Sequence, residues 1–373
     1  MTIHSDRLSR LRARMAETGT DFVALGPTSH MRWLAGLDPH GDVRPVMLLV
    51  SASYAGVLIP GLNADAARQA TDLPLHEWDD AAGPEAALSD LLAACDLGRV
   101  LRVGSDETMR ADFALRLLDA LPSPRRSFAS ETVGHLRARK DETEVSALRG
   151  SARVNDAAAS AAFGGLQKGM TELDVQAIIH AHYKAHGATP LFTIVGFGAN
   201  SAFPHHHTGT TRLAHGMAVL IDTGCRLDGY PSDMTRCGWF GAPDPEFIRV
   251  AEVVERAVQA ALAAVRPGAL ARDVDQAARD VIAAAGYGPR FLHRTGHGLG
   301  IDVHEPPYIT ATSETALQLG NVFSIEPGIY LDGRFGVRLE DVVVVRENDL
   351  EVLSGLRRDV RISAGRPLEE HAP

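Results

Sequence analysis

Four carboxylates and one imidazole in the second half of the chain, Asp222, Asp233, His297, Glu326 and Glu340, are the side chains best placed to do chemistry. Most of them interrupt apolar, β-rich text. Asp222 lies in VLIDTG, Glu326 in FSIEPGIY and Glu340 in GVRLEDVVVV. Burying like-charged carboxylates together raises their pKa values, and desolvation costs several kcal/mol for each. Two divalent cations remove the difficulty, because the four carboxylates carry −4 and the cations +4. The pattern reads as a dinuclear metal site, and a dinuclear site implies hydrolysis. Each residue taken alone has an ordinary alternative. Asp222 could close a turn, Asp233 in SDMTR could pair with Arg236, and Arg338, two residues before Glu340 on the same strand face, could be a plain ion-pair partner.

His297 lies in TGHGLG, where a glycine on each side allows the close backbone approach that suits a ligand offered from a tight loop. His304 follows in DVHEPPY, and PHHHT supplies His205, His206 and His207 upstream. An isolated histidine is more often a core or surface group than a ligand. The combination carries the argument, not any single residue.

The surrounding elements must position these groups. In the first 135 or so residues, SDRLSRLRARMAETG has helical spacing and ends on Gly19, while DFVALG, RPVMLLVS and AGVLIPG read as short apolar strands. PEAALSDLLAAC and ADFALRLLDAL read as amphipathic helices on either side of a strand RVLRVG. This is an α/β unit with a mixed or parallel sheet. A charged segment, HLRARKDETEVSALRGSARVNDAAASAAF, begins as a linker and becomes a long helix. Beyond it, one helix–hairpin pattern occurs twice. The first hairpin, AVLIDTGCRLDGYPSDMTRCGWF, carries Asp222 and Asp233 on its arms; the second, NVFSIEPGIYLDGRFGVRLEDVVVV, carries Glu326 and Glu340. DGRFG is a good turn for the latter. A pseudo-symmetric domain with the site between its halves is expected.

Bulk composition narrows the alternatives. With 373 residues, 45% of them hydrophobic, the chain can bury a large core divided over two or three domains. A net charge of −10 argues against nucleic acid as a partner. No apolar run approaches the ~20 residues of a membrane helix, and MTIHSDRLSRLRARM lacks the apolar stretch of a secretory signal. Cys95, Cys225 and Cys237 have no CxxC spacing, which disfavours a disulfide framework or a zinc–thiolate site. A cytoplasmic protein is expected.

The ordered set DTG, SDMTR, GHGLG with VHEPPY, EPGIY and VRLED resembles the pita-bread metallopeptidases of the M24 type, and within them the Xaa-Pro peptidases, prolidase and aminopeptidase P. The resemblance covers roughly residues 140–360. It implies an α/β (α+β) chain with a creatinase-like N-terminal domain over residues 1–135 and a pseudo-symmetric catalytic domain over 136–373. Carried over by position, Asp222 resembles the bidentate ligand of one metal, Asp233 and Glu340 resemble bridging carboxylates, and His297 and Glu326 complete the other metal. Glu326 is also the candidate proton shuttle. His205 and His304 resemble the substrate-side histidines, and Arg338 an arginine that orients Glu340. Apolar groups such as Phe203 or Tyr230 could accept a prolyl ring. Some prolidases bind the dipeptide carboxylate through an arginine just after the HExP segment; here that place is held by Tyr308, so the resemblance does not supply the carboxylate's partner. Arg44, in a loop of the first domain, could reach it.

Oxygen-rich ligation with a single imidazole favours Mn²⁺, with Co²⁺ or Zn²⁺ able to substitute. The implied substrates are small peptides with proline in second position, cleaved as dipeptides or, alternatively, as longer peptides in the manner of aminopeptidase P. Creatinase-like hydrolysis and non-peptidase members of the fold are disfavoured, because such relatives usually lose several ligands and all five are present. A homodimer is the default for closed symmetry.

Overall fold

The computed structural model describes residues 3–39, 41–97 and 102–363. The chain divides into two compact units, residues 1–137 and 138–373. The first unit runs α1 (Ile3–Thr18), β1 (Phe22–Leu25), α2 (Ser29–Ala35), β2 (Met47–Ser51), β3 (Ala55–Pro60), α3 (Gly61–Ala70), β4 (Leu75–Trp78), α4 (Glu85–Ala94), β5 (Arg102–Ser105), α5 (Ala111–Asp119), β6 (Arg125–Phe128) and α6 (Val133–Arg137). Its sheet has the order β4-β3-β2-β1-β5-β6. Strands β1, β2 and β3 are buried along their whole length, as continuous apolar runs in the middle of a two-sided sheet must be. Because β1 pairs antiparallel with β2 and parallel with β5, the sheet is mixed. Residues 99–101 of the expected RVLRVG strand lie outside the described residues.

The second unit opens with α7 (Glu142–Gly164) and α8 (Glu172–Ala185), each started by a capping box: Asp141 with Glu144, and Thr171 with Asp174. These cover β7 (Thr189–Phe197), β8 (Met217–Leu227), β9 (Tyr230–Pro231) and β10 (Met234–Phe240). A second helix pair follows, α9 (Pro245–Ala264) and α10 (Ala271–Ala284), then β11 (Gly296–Gly298), β12 (Glu305–Ile309), β13 (Val322–Ile325), β14 (Gly328–Leu331), β15 (Phe335–Arg338), β16 (Asp341–Val345), β17 (Leu350–Val352) and β18 (Arg361–Ser363). One sheet has the order β18-β10-β8-β7 with β9 added on β8; the other runs β12-β11-β13-β16-β17. The helix pair and sheet thus occur twice, as the repeated pattern implied.

Residues at helical spacing on α9, among them Phe247, Val250, Val254, Val258 and Ala261, are buried with Leu220, Trp239, Phe323 and Ile325 in one core. Removing each large side chain from water is worth about 1.5–3 kcal/mol, which fixes the sheets against these helices. Among the described residues, no helix is long and apolar enough to cross a membrane.

The second hairpin differs from expectation in one respect that matters for the site. Its arms are interrupted: the β13–β16 ladder ends at Ile325 opposite Asp341, and the β14–β15 ladder starts at Gly328 opposite Arg338. Glu326 and Glu340 therefore lie in the gap rather than on the arms. Pro327 has no N–H to give to a ladder, so the break is written beside Glu326.

Candidate functional site

Asp222 sits in the middle of β8, opposite Ile194 of β7 and Thr235 of β10. Side-chain alternation puts it on the face of Leu220, toward the second half's core, while Val219 and Ile221 point back into the core of α7 and α8. Asp233 is the residue just before β10. His297 is the central residue of β11, and its neighbours must be glycine. A Cβ on Gly296 would lie 1.8 Å from the Ser324 carbonyl oxygen, and one on Gly298 would lie 2.3 Å from the Glu305 carbonyl oxygen. The backbone amide of His297 donates to Ser324 Oγ (3.0 Å), which in turn donates to Glu326 Oε1 (3.0 Å).

The structure brings all five residues to the wall of one cavity of about 720 Å³. One ligand atom each from Asp233, His297 and Glu340 fits within 4.8 Å of the others, and all three residues are buried. His297 Nε2 lies 3.3 Å from Glu326 Oε1 and 3.6 Å from Asp233 Oδ2. Its Nδ1 faces the Gly298 carbonyl oxygen at 3.2 Å. A carbonyl only accepts, so Nδ1 carries the proton and the Nε2 lone pair points at the carboxylates. Burial pushes the imidazole down to about 3, which keeps it neutral, as a ligand must be.

The carboxylates behave as the charge argument requires. Burial, then the charges of Asp222 and Glu326, holds Asp233 well above the usual carboxylate range. Glu340 is raised by burial and by its acidic neighbours, and Glu326 is pushed up to about 7 chiefly by burial. Asp222 Oδ1 and Glu340 Oε1 are buried without a hydrogen-bond partner among the described residues. A neutral, correctly oriented imidazole beside partnerless carboxylate oxygens fits divalent cations.

Five placements correct the sequence reading. Arg338 does not bond Glu340: its guanidinium pairs with Asp222 Oδ2 and donates to Thr235 Oγ1 (3.0 Å) and to Tyr330 Oη (2.9 Å). Thr235 passes the contact on, donating to Glu340 Oε2 at 2.7 Å. Tyr230 is not on the cavity wall; its hydroxyl reaches Glu144 Oε1 at 3.2 Å and its ring packs against the small core of Val145 and Leu148. Arg44 is committed within its own unit, bound to Asp42 (3.0 Å) and Asp80 (2.9 Å). Arg236 answers Asp341 at 2.7 Å, not Asp233. Phe203 is exposed and does not line the cavity either.

His205 and His304 do line it, and His304 packs edge-on against His297 with ring centroids 4.0 Å apart. Burial, then the charge of Arg294, lowers the pKa of His304. Apolar side chains line the cavity too: Leu191, Phe192, Ile194, Pro204 and Val303. Sequence reasoning missed His293, Arg294, Tyr330 and Thr235. His293 Nδ1 donates to its neighbour's carbonyl oxygen (2.8 Å), so Nε2 accepts from Tyr330 Oη (2.7 Å). Burial, then Arg338, pushes His293 down to about 4. The only local signal was proximity of His293 and Arg294 to GHG.

Comparison with known proteins agrees with this geometry. A family model described as metallopeptidase family M24 matches residues 146–347, and one for the creatinase/prolidase N-terminal domain matches residues 7–139. The probable dipeptidase PepE of Mycobacterium tuberculosis is 37% identical over 353 residues, covering 93% of each chain. The crystal structure of dipeptidase PepE from Mycobacterium ulcerans matches with a TM-score of 0.91 at 34% identity, covering 96% of this chain and 98% of that one. An Xaa-Pro dipeptidase of Pyrococcus horikoshii is 27% identical over 362 residues, covering 96% of this chain and 100% of the relative.

Proposed function

Since the chain belongs to metallopeptidase family M24, we propose that it hydrolyses dipeptides, with proline preferred in second position, using two divalent cations. Asp222, Asp233, His297, Glu326 and Glu340 would hold them, and the oxygen-rich set favours Mn²⁺. Bound there, the cations supply a Lewis acid for the scissile carbonyl and a nucleophile at neutral pH. The observation that carries the reading is the buried acidic cluster itself, with carboxylate oxygens of Asp222 and Glu340 left without partners beside a neutral His297.

The chain's own groups supply the rest. Glu326, which accepts from Ser324 beside His297, is the candidate to relay a proton near neutrality. His304 is neutral at that pH, so its ring N–H can donate to charge developing on the carbonyl oxygen. His205 also lines the cavity and is the candidate to meet the leaving nitrogen. A prolyl nitrogen has no hydrogen, so a peptidase that binds the substrate amide N–H gains nothing from it. Here Leu191, Phe192, Ile194, Pro204 and Val303 give the cavity an apolar share that suits a pyrrolidine ring. The relatives named for Xaa-Pro cleavage include the Pyrococcus protein, whereas PepE is named only as a dipeptidase.

A panel of Ala-Pro, Leu-Pro, Ala-Ala and Leu-Leu in Mn²⁺, with Ala-Pro-Ala as the longer control, tests the reading. Prolyl dipeptides should exceed their non-prolyl counterparts in kcat/KM by about tenfold or more. Equal or faster turnover of Ala-Ala and Leu-Leu would remove the proline preference, and preference for Ala-Pro-Ala would favour the aminopeptidase alternative.

The raised carboxyls give the metal-free protein one pH dependence, and the depressed His293 and His297, whose contribution is lost as pH falls from about 6.5, give it another of opposite sign. A carboxyl whose pKa is higher in the folded state stabilises fully below its unfolded value of about 4.3, and that contribution is lost as pH rises through about 7 for Glu326. With chelator present, the Tm of wild type relative to Glu326→Gln should fall by several degrees from about pH 5 to about pH 8, because that difference isolates the carboxyl. Excess Mn²⁺ should flatten or reverse the trend, because the ligands bind deprotonated. A chelated wild type that gains stability relative to Glu326→Gln over this range would contradict the repulsion argument.

A further inference from the structure

The cavity wall carries two arginines, and only one of them has an assigned acceptor. Arg338 is committed to Asp222, Thr235 and Tyr330. Nearby, Lys140 is buried against Glu305 at 2.8 Å, so its charge is also spent. Arg294 is different. It is half-buried, it lines the cavity, and its guanidinium makes no hydrogen bond or ion pair among the described residues. In a chain of net charge −10 an arginine on an acidic cavity without a carboxylate partner is unexpected.

Its position is nonetheless held. The guanidinium carbon lies 4.8 Å from the centroid of the Tyr308 ring. Tyr308 is on β12, opposite His297 of β11, and its ring is partly exposed. A cation over an aromatic face is attracted by the ring's quadrupole, yet keeps its N–H edges free to donate. Two divalent cations would answer the four buried carboxylates, and Arg338 answers no further anion. Among the described residues Arg294 is therefore the cation left over on the cavity wall, held over a ring.

We propose that Arg294, held by Tyr308, binds the free C-terminal carboxylate of the dipeptide and that this contact selects dipeptides over longer peptides. The assignment rests on the dipeptidase reading above, but not on proline. A planar guanidinium meets a carboxylate with two parallel N–H···O bonds, which fixes distance as well as charge. One further residue moves the carboxylate outward by about 3.3–3.6 Å and breaks that match. Tyr308 is a positioning residue, since it touches Arg294 and not the reacting atoms.

The test compares a dipeptide with its C-terminal amide, for example Ala-Pro and Ala-Pro-NH₂, in Mn²⁺-loaded wild type, Arg294→Gln, Arg294→Lys and Tyr308→Ala. Metal content is measured for each. Wild type should prefer the free acid, and Arg294→Gln should lose about 100-fold in kcat/KM on the acid, mostly in KM, while changing little on the amide. Arg294→Lys should keep part of the acid preference, and Tyr308→Ala should lower it about tenfold with kcat less affected than KM. Equal losses on acid and amide, or no loss on either, would overturn the assignment. If the wild type cleaves Ala-Ala but not Ala-Pro, the same acid-to-amide ratio is read on Ala-Ala and its amide. The proline preference would then fall while the carboxylate assignment stands or falls on its own ratio.

Discussion

Replacing Asp233 by asparagine should abolish tight metal binding and lower kcat by at least about 1,000-fold, since losing an orienting partner of a ligand alone costs about 10–100-fold. Asparagine has the shape of aspartate, so the change removes charge and metal affinity without opening a cavity. The stability effect should change sign with metal. In the metal-free protein Asp233 is repelled by Asp222 and Glu326 in a buried place, and the neutral amide relieves that repulsion. With chelator the variant should be more stable than wild type by about 1–2 kcal/mol, a rise of several degrees in Tm. With excess Mn²⁺ the order should reverse, because only wild type gains the binding energy of both cations. Metal analysis, turnover and melting curves of both proteins with and without metal read all of this. Unchanged turnover with a full complement of metal would refute the bridging role assigned to Asp233.

Why these five residues were legible and others were not is a matter of contrast with local text. Glu326 and Glu340 stand out because a glutamate directly after VFSI or directly before DVVVV has no local reason to be there. The glycines around His297 stand out because two in three residues are costly in a strand unless something must approach closely, and the Ser324 and Glu305 carbonyls do. Thr235 and Tyr330 fail this test. Threonine and tyrosine are ordinary strand residues, and their roles exist only through Arg338, which is 103 residues from Thr235 in the chain. Arg294 reads as a solvated loop residue until Tyr308 is seen beneath it. The same limit operates in the first unit. β6, the sequence RRSF, is mostly exposed at a sheet edge and shows no alternation, and α3 buries only Ala64 and Ala67, so neither announces itself. The interruption of the second hairpin was half visible: Pro327 marks the break, but the matching gap at Leu339 and Glu340 has no proline to show it.

Arg338→Met should act in the opposite sense to Asp233→Asn, and the pair of variants separates a charge-balanced site from a merely crowded one. Arg338 is buried, with three acceptors on three strands: Asp222 on β8, Thr235 on β10 and Tyr330 on β14. Methionine keeps much of the volume and removes the only cation bonded to a site carboxylate among the described residues. Stripping one partner from a buried ion pair typically costs about 3–5 kcal/mol, because the remaining charge stays buried and unanswered. The chelated variant should therefore melt far below chelated wild type, and metal should restore a large share of the loss. Asp233→Asn narrows the gap in Tm between metal-free and metal-loaded protein; Arg338→Met should widen it. With Mn²⁺ in excess, kcat/KM should still fall about 10–100-fold, since Asp222 loses its orienting donor and Thr235 loses the donor that fixes its hydroxyl on Glu340. Arg338→Lys should recover little, because one ammonium cannot reach three acceptors that a planar fork spans. If both variants shift the gap in the same direction, Arg338 is holding the strands together by packing rather than by offsetting the charge of the acidic cluster.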